Sequence, residues 1–347
     1  MDRSQVAVVI LNWNGRRFLE KYLPSVINCL PQCAKVVIAD NASSDDSLDF
    51  LARNYPELPV LALSKNFGYA GGYNEALRQV EAEYYVLLNS DVEVTPGWIE
   101  PVVEYLEKNA HVAAAQPKIL SDEERHKFEY AGAAGGFVDV FGYPFCRGRV
   151  FDFLETDLGQ HDDTTKVHWA TGACLFIRAK AFREAGGFDE RFFAHMEEID
   201  LCWRLQRLGY EVVAVPSSKV FHLGGGTLPR SNPKKTYLNF RNSLWLLAKN
   251  LPSSYFYPLL PIRILLDFLA GFRFLLLGQK ADAMAVAKAH LALFKNLRKM
   301  RQSAPKGNDK LPGGIYIGSV VFDFYVRKKK RFTELKWKRF GQRMFQG

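Results

Sequence analysis

Short apolar runs and segments of helical spacing alternate through the first quarter of the chain. Residues 6–11 (VAVVIL), 36–39 (VVIA), 59–63 (PVLAL) and 84–88 (YYVLL) are rich in Val, Ile, Leu and Tyr. Between them, 15–30, 45–54 and 70–81 carry apolar residues at the helical period. Strands alternating with helices of this length predict an α/β domain, a Rossmann-like, mostly parallel sheet flanked by helices. Strands apolar throughout are what two covered faces require. Residues 121–165 have weak periodicity and predict irregular loops or short strands. Order returns with a strand-like segment over 166–178, helices over 179–185 and 196–209, and a strand over 211–215. There is no internal repeat and no low-complexity tract.

The pattern changes from 255. Residues 259–278 (LLPIRILLDFLAGFRFLLLG) nearly reach the ~20 residues that cross a bilayer, but they contain Arg263, Asp267 and Arg273. Charges at the centre of a spanning helix cost several kcal/mol each. At the helical period the three fall on one arc of roughly 120°, with Leu, Ile and Phe filling most of the rest. That describes a helix lying in an interface. Residues 281–302 repeat the theme, Lys288, Lys295, Arg298, Lys299 and Gln302 forming one stripe.

Charge sharpens the division. Of the 347 residues, 46 are Lys or Arg and 37 Asp or Glu, a net of +9. Residues 1–226 hold 22 basic and 32 acidic side chains, whereas 227–347 hold 24 basic and 5 acidic. The expectation is an acidic domain over 1–230 and a basic, amphipathic helical region over 231–347. The basic region mixes cations with Trp and Phe (Arg327-Lys328-Lys329-Lys330-Arg331, then Lys336-Trp337-Lys338-Arg339-Phe340), which suits an anionic membrane surface. An acidic body without a nucleic-acid-binding motif argues against nucleic acid as a partner. The five cysteines form no metal-type pair and suit a reducing compartment. The first residues show no signal-peptide pattern, so the expected location is cytoplasmic, attached peripherally to the inner face of the cell membrane.

Four polar clusters follow directly on apolar runs: Asn12-Trp13-Asn14-Gly15, Asp40-Asn41-Ala42-Ser43-Ser44-Asp45, Lys65-Asn66-Phe67-Gly68 and Asn89-Ser90-Asp91. In open α/β sheets ligands bind at the carboxyl ends of the strands, so four clusters in register point to one site. Asp91 stands where a divalent cation and a diphosphate would meet, since Mg²⁺ and Mn²⁺ take one or two carboxylates plus phosphate oxygens; Asn-Ser-Asp is also a good turn. The carboxylate of Asp40 suits the imide N–H of uracil or thymine, while neighbouring Ser and Asp residues suit a helix cap. Gly68 and Gly72, between Asn66 and Asn74, open a helix whose N-terminus favours phosphate. In His195-Met196-Glu197-Glu198-Ile199-Asp200, three acids crowd a helix start. The helix dipole accounts for acids there, but their mutual repulsion raises proton affinity and makes one of them a suitable general base. His222, between a strand and a glycine run, serves either structure or a metal.

Together these segments resemble the family-2 inverting glycosyltransferases with the GT-A fold, particularly the rhamnosyltransferase-like branch. The matching stretches are VAVVILNWNG, VVIADNASSDDS, NFGYAGGYNEAL, YYVLLNSDVEV, TGACLFIRAKAFREAGGFDERFFAHMEEIDLCWRLQRLGYEV and VFHLGGGT, in the expected order across about two thirds of the chain. The resemblance implies that Asp40 reads the nucleobase, that Asn89-Ser90-Asp91 stands in for Asp-x-Asp, that Asp91 and His222 hold Mg²⁺ or Mn²⁺, and that Glu198 is the base. Glu occupies a position that is usually Asp, so Glu197 and Asp200 stay beside Glu198 as alternatives. Trp169 and Gly172 are expected to shape the sugar and acceptor pocket. The implied reaction is transfer from a nucleotide diphosphate sugar, dTDP-rhamnose or a UDP-sugar, to a glycan or lipid-linked glycan acceptor in cell-surface polysaccharide assembly. Two rivals are a sugar-phosphate nucleotidyltransferase, whose N-terminal glycine-rich loop is not matched by Asn12–Arg17, and a non-catalytic membrane-bound nucleotide-sugar-binding protein.

Overall fold

Alternation along Val6–Asn12 sets the architecture. Val6, Val8 and Ile10 point to one side of the sheet and Ala7 and Val9 to the other, and both sets are buried. The computed structural model describes residues 5–224, 232–303, 311 and 313–335. Its main sheet runs Val60–Ala62, Ala34–Asp40, Val6–Asn12, Tyr84–Asn89, Cys174–Arg178, Val112–Ser121, Glu211–His222, Thr165–Lys166. The first four are mutually parallel, as the alternating pattern predicts. Cys174–Arg178 is antiparallel to both of its neighbours, and Glu211–His222 runs parallel to Val112–Ser121. One face is covered by helices Arg16–Asn28 and Glu100–Lys108, through Leu19, Leu23, Val102 and Leu106. The other is covered by Gly68–Leu77, Glu197–Arg207 and Pro233–Asn250, through Ala70, Tyr73, Leu201, Leu205 and Leu247. Each fully buried Val or Leu contributes about 1.5–3 kcal/mol relative to exposure.

Within 121–165 the expected short strands are organised into a second sheet, ordered Phe153–Leu154, Arg149–Val150, Pro144–Cys146, Gly136–Asp139, Ile315–Tyr316. Its last strand comes from the C-terminal region and pairs parallel, Ile315 with Val138 and Tyr316 with Asp139. Phe332 then packs its ring 5.1 Å from that of Phe137. The break in charge near 226 is therefore not a break in packing.

The C-terminal helices are Pro233–Asn250, Ser253–Leu276 and Lys280–Gln302. The charged arc of the second helix splits. Arg263 and Asp267 face the protein and are fully buried. Arg263 Nε bonds both Asp267 oxygens at 2.9 and 3.0 Å. Tyr143 Oη donates to Asp267 at 2.7 Å, and Arg263 Nη2 to Ser243 Oγ at 2.6 Å. Arg273 is exposed. The apolar side faces outward: Ile262, Leu265, Phe268, Leu269, Phe272 and Leu276 are exposed, Phe268 by 67% and Leu276 by 72%. No helix among the described residues is long and apolar enough to cross a membrane. Residues 336–340, which carry the last basic–aromatic cluster, and Gly225 and Gly226 lie outside the described residues.

Candidate functional site

Strand register assembles the site. Asn12 pairs with Asp40, Leu11 with Asn89 and Leu88 with Cys174, so three of the polar clusters and the turn Thr171–Ala173 share one end of the sheet.

The loops that follow the first three strands are tied to each other. Asn12 Nδ2 donates to Asp40 Oδ1 at 2.9 Å, and Asn12 is buried. Ser43 donates to both Asp40 oxygens, N to Oδ2 at 2.9 Å and Oγ to Oδ1 at 2.6 Å. A carboxylate has about four lone-pair sites, which leaves Asp40 Oδ2 capacity for one more donor. Asn14, at φ 51°, accepts from Ser44 N at 2.7 Å. Asn41 bridges to the next loop, Nδ2 donating to Gly68 O at 3.0 Å and Oδ1 accepting from Phe67 N at 3.0 Å. Asn66 Oδ1 accepts from Gly68 N at 2.8 Å. Gly68 has φ +74°, and a Cβ there would lie 2.6 Å from the ring of Phe193. A Cβ at Gly72 would lie 2.9 Å from Leu11, so its helix rests directly on the strand end. The helix after Asp45 is held by Asp45 itself, whose Oδ1 accepts from Ser47 N at 3.1 Å.

Asn89, Ser90 and Asp91 leave the neighbouring strand. Asp91 is 7% exposed, and its Oδ1 lies 3.1 Å from His222 Nε2. Asn89 Nδ2 lies 3.5 Å from the same nitrogen. Behind His222, Nδ1 lies at an ion-pair distance of 3.1 Å from Glu129 Oε2. Burial lowers the proton affinity of His222, but the carboxylates of Asp91 and Glu129 outweigh it and hold the imidazole well above its ordinary range. A carboxylate oxygen suits Mn²⁺ or Mg²⁺, and the imidazole nitrogen beside it, a transition-metal ligand, favours Mn²⁺ of the two. Among the described residues no group of three His, Cys, Asp or Glu is arranged to hold a metal alone, so Asp91 and His222 fit a cation that completes its shell with diphosphate oxygens. Glu129 was missed by sequence reasoning: it sits in the stretch with weak periodicity, and only the strand at 211–222 brings it to His222.

The acidic helix begins after a strained segment in which Phe193, His195 and Met196 have φ of 66°, 69° and 73°. Non-glycine residues rarely adopt this region, and such strain clusters at functional sites. Asn242, from the helix Pro233–Asn250, over-determines it by donating to Phe192 O, Ala194 O and His195 O at 3.0, 2.8 and 2.6 Å. Burial pushes Glu198 up to about 7, and burial together with the charge of Glu198 pushes Glu197 well above the usual carboxylate range. In both, Oε2 is buried with no hydrogen-bond partner among the described residues. Tyr69, which feels both charges, donates to Gly172 O at 2.7 Å, and Asn89 N donates to Ala173 O at 3.0 Å. The turn Gly172–Ala173 is thus bonded on one side by Tyr69 and on the other by the strand end that leads to Asp91.

Three expected site residues are occupied elsewhere. Asp200 is fully buried, accepting from Arg204 Nε and Lys249 Nζ, each at 2.8 Å, and from Asn250 Nδ2 at 2.8 Å. Asn74 latches the loop before the acidic helix, donating to Phe188 O at 2.9 Å and Glu190 Oε1 at 3.0 Å. Trp169 is 3% exposed, bonds Phe137 O at 3.0 Å and fills the space left by Gly136; it supports the pocket turn from behind.

Against known families, residues 7–186 match the model for glycosyl transferase family 2. The chain belongs to that family. Among its relatives is the N-acetylglucosaminyl-diphospho-decaprenol L-rhamnosyltransferase of Mycobacterium tuberculosis, 28% identical over 231 residues, 62% of this chain and 75% of that protein. The rhamnosyltransferase WbbL of Escherichia coli (strain K12) is 24% identical, over 62% of this chain and 83% of that protein. In fold, this family member is similar to the crystal structure of GalNAc-T7 with UDP, GalNAc and Mn²⁺, with TM-score 0.58, 18% identity and 76% of this chain covered. It spans about half, 51%, of that structure's chain. These likenesses establish the GT-A sheet flanked by helices.

Proposed function

We propose that this family-2 enzyme is an inverting hexosyltransferase, dependent on Mg²⁺ or Mn²⁺, that moves a sugar from dTDP-rhamnose or a UDP-sugar to a hydroxyl of a glycan or lipid-linked glycan in cell-surface polysaccharide assembly. The observation that supports this reading is the carboxylate oxygen of Glu198, buried without a hydrogen-bond partner among the described residues and on a group pushed up to about 7, in a helix whose preceding loop is bonded to Tyr69 N. A general base works best with a pKa near the operating pH.

Asn12, Asn14, Asp40, Asn41, Asn66 and Gly68 form the nucleotide side, and Gly72 brings the helix N-terminus close to the phosphates. Asp91 and His222, beside Asn89 and Ser90, would hold the cation, which when bound would supply positive charge against the leaving diphosphate, worth several kcal/mol in the transition state. Glu198 Oε2 takes the proton of the acceptor hydroxyl as that oxygen bonds to the anomeric carbon. The bond from that carbon to the phosphate oxygen breaks on the opposite side, its electron pair leaving with the nucleoside diphosphate, so configuration inverts. Burial keeps Glu198 proton-avid, and burial together with the charge of Glu198 keeps its neighbour Glu197 protonated. Gly172, with no side chain, leaves room for Tyr69, whose hydroxyl a Cβ there would meet at 2.6 Å, so that the turn beside the acceptor pocket is held by Tyr69.

The outward apolar face of Ser253–Leu276, flanked by basic residues, supports peripheral attachment to the inner face of the cell membrane, with the apolar side in the acyl boundary and cations against anionic headgroups. The relatives that act on rhamnosyl donors and a lipid diphosphate acceptor support the donor and acceptor classes. The test is a panel of UDP- and dTDP-sugars with Mn²⁺, with and without a lipid-linked glycan acceptor. One donor is expected to support transfer and slow hydrolysis; activity that instead requires pyrophosphate would assign the site to nucleotidyl transfer.

A further inference from the structure

A second concave site lies away from the sheet ends, between the start of helix Pro233–Asn250 and helix Lys280–Gln302. It is a cavity of about 800 Å³ lined by Lys234, Tyr237, Met284, Lys288, Leu291 and Lys295, among others. Met284, Lys288, Leu291 and Lys295 recur at steps of four, three and four and so share one helix face. The face alternates apolar and cationic side chains. Among the described residues, the lining holds three lysines and no carboxylate. Asp282, the nearest acid along the helix, is engaged by Thr236 Oγ1 at 2.6 Å.

Its two ends lead to different places. At one, Lys234 Nζ lies 5.5 Å from the ring centroid of Phe193. The carbonyl of Phe193 accepts from Tyr69 N at 2.8 Å, and its segment leads directly into Glu197 and Glu198. At the other, Met284, Leu291 and Phe294 are 57, 60 and 56% exposed, on a helix that packs against Ser253–Leu276, whose own outward side is apolar. The groove thus has the acidic pair's loop at one end and exposed apolar side chains at the other. Concentrated positive charge selects an anion with more than one charge, and the apolar lining selects a hydrocarbon chain attached to it.

We propose that this groove binds a lipid diphosphate, with Lys234, Lys288 and Lys295 on the diphosphate and Met284, Leu291 and Tyr237 on the first units of the chain. This rests on the reading of the protein as a transferase to a lipid-linked acceptor, and adds where that acceptor's anchor lies. The glycan then extends past Phe193 towards Glu198 while the hydrocarbon runs out along the apolar face.

The test titrates the full chain with farnesyl diphosphate, in the presence of UDP and Mn²⁺ to fill the donor site. Inorganic pyrophosphate and farnesol are the partial probes. Farnesyl diphosphate is expected to bind at least about tenfold more tightly than either, and K288E/K295E to weaken it at least about tenfold while UDP affinity stays within about twofold. Both lysines are exposed, so the melting temperature should hold. Absence of farnesyl diphosphate binding, equal binding of pyrophosphate or of farnesol, or an affinity within about twofold in the double variant overturns the proposal. Hydrolysis of the nucleotide sugar, measured on the same samples, separates the two readings. Turnover with no lipid diphosphate site sinks only the groove, and lipid diphosphate binding without any nucleotide-sugar turnover sinks only the transferase.

Discussion

His222 Nε2 lies 3.1 Å from Asp91 Oδ1, joining two residues 131 positions apart in the chain. On the far side of the ring, Glu129 Oε2 lies 3.1 Å from Nδ1. A carboxylate behind a metal-ligating imidazole orients the ring and raises its basicity, and its loss typically weakens metal affinity about 10–100-fold. Glu129→Gln is expected to weaken Mn²⁺ binding by that order in the presence of UDP, read by electron paramagnetic resonance, with the fold intact. Unchanged Mn²⁺ affinity would leave Glu129 without a part in the site.

Glu198→Gln removes the proton acceptor and keeps the shape. Transfer is expected to fall about 10²–10⁴-fold in kcat with donor KM nearly unchanged. The base must be ionised to act, so in the parent enzyme the rate should rise with pH through about 7 and level off above it. A variant that retains transfer, or a parent profile flat from pH 5 to 8, contradicts the assignment.

Asp200 has a structural task. Burial alone would raise its pKa, but Arg204 and Lys249 outweigh that and hold it below the usual carboxylate range. Asp200→Asn leaves Lys249 and Arg204 short of a buried counter-charge, and breaking such pairs costs about 3–5 kcal/mol. Denaturant unfolding should show this loss at neutral pH. A depressed folded-state pKa means that the stabilisation is complete above the unfolded value near 3.8 and is lost as pH falls below it. The variant and parent should therefore converge in acid; a constant gap would assign the loss to packing.

Gly68→Ala meets two obstacles, a φ of +74° and a Cβ 2.6 Å from the ring of Phe193. Forcing a side chain into that conformation costs about 1–3 kcal/mol. Because Phe193 leads into the acidic helix, transfer should fall more than stability alone explains. Full activity at a lowered Tm would uncouple the two loops.

Phe268 and Leu276 are among the most exposed apolar residues. Surface changes away from special features shift stability by about 0.5 kcal/mol or less. The double change F268E/L276E should therefore keep Tm while reducing flotation with anionic liposomes several-fold. Undiminished flotation would remove this face from membrane attachment.

Much of this fold was legible because parallel strands buried on both faces are apolar end to end. Val6–Asn12, Ala34–Asp40 and Tyr84–Asn89, with the polar residues at their ends, could be located from that alone. Val112–Ser121 was not read as a strand: its VAAAQPKILS has small residues and a buried Gln116 and Lys118, whose partners lie far away in sequence. Nor did any local signal indicate that Cys174–Arg178 would run antiparallel between two long strands. At the site, the clusters announced themselves by position, but Asp200 and Glu198 look alike in sequence. Arg204, four residues on, together with Lys249 and Asn250, some fifty residues on, distinguishes a neutralised carboxylate from a free one. The arc of Arg263 and Asp267 was legible as a stripe, whereas its inward orientation depends on Tyr143 and Ser243.

Ile315–Tyr316 completes the smaller sheet, and Phe332 is wedged against Phe137 and Phe145. Shortening the protein to remove its C-terminal helices would therefore also unzip an edge of the smaller sheet and leave aromatic rings without cover. Loss of flotation in such a truncated form would report a damaged body as readily as a missing anchor. Point changes on the outward face are the cleaner instrument for separating attachment from chemistry.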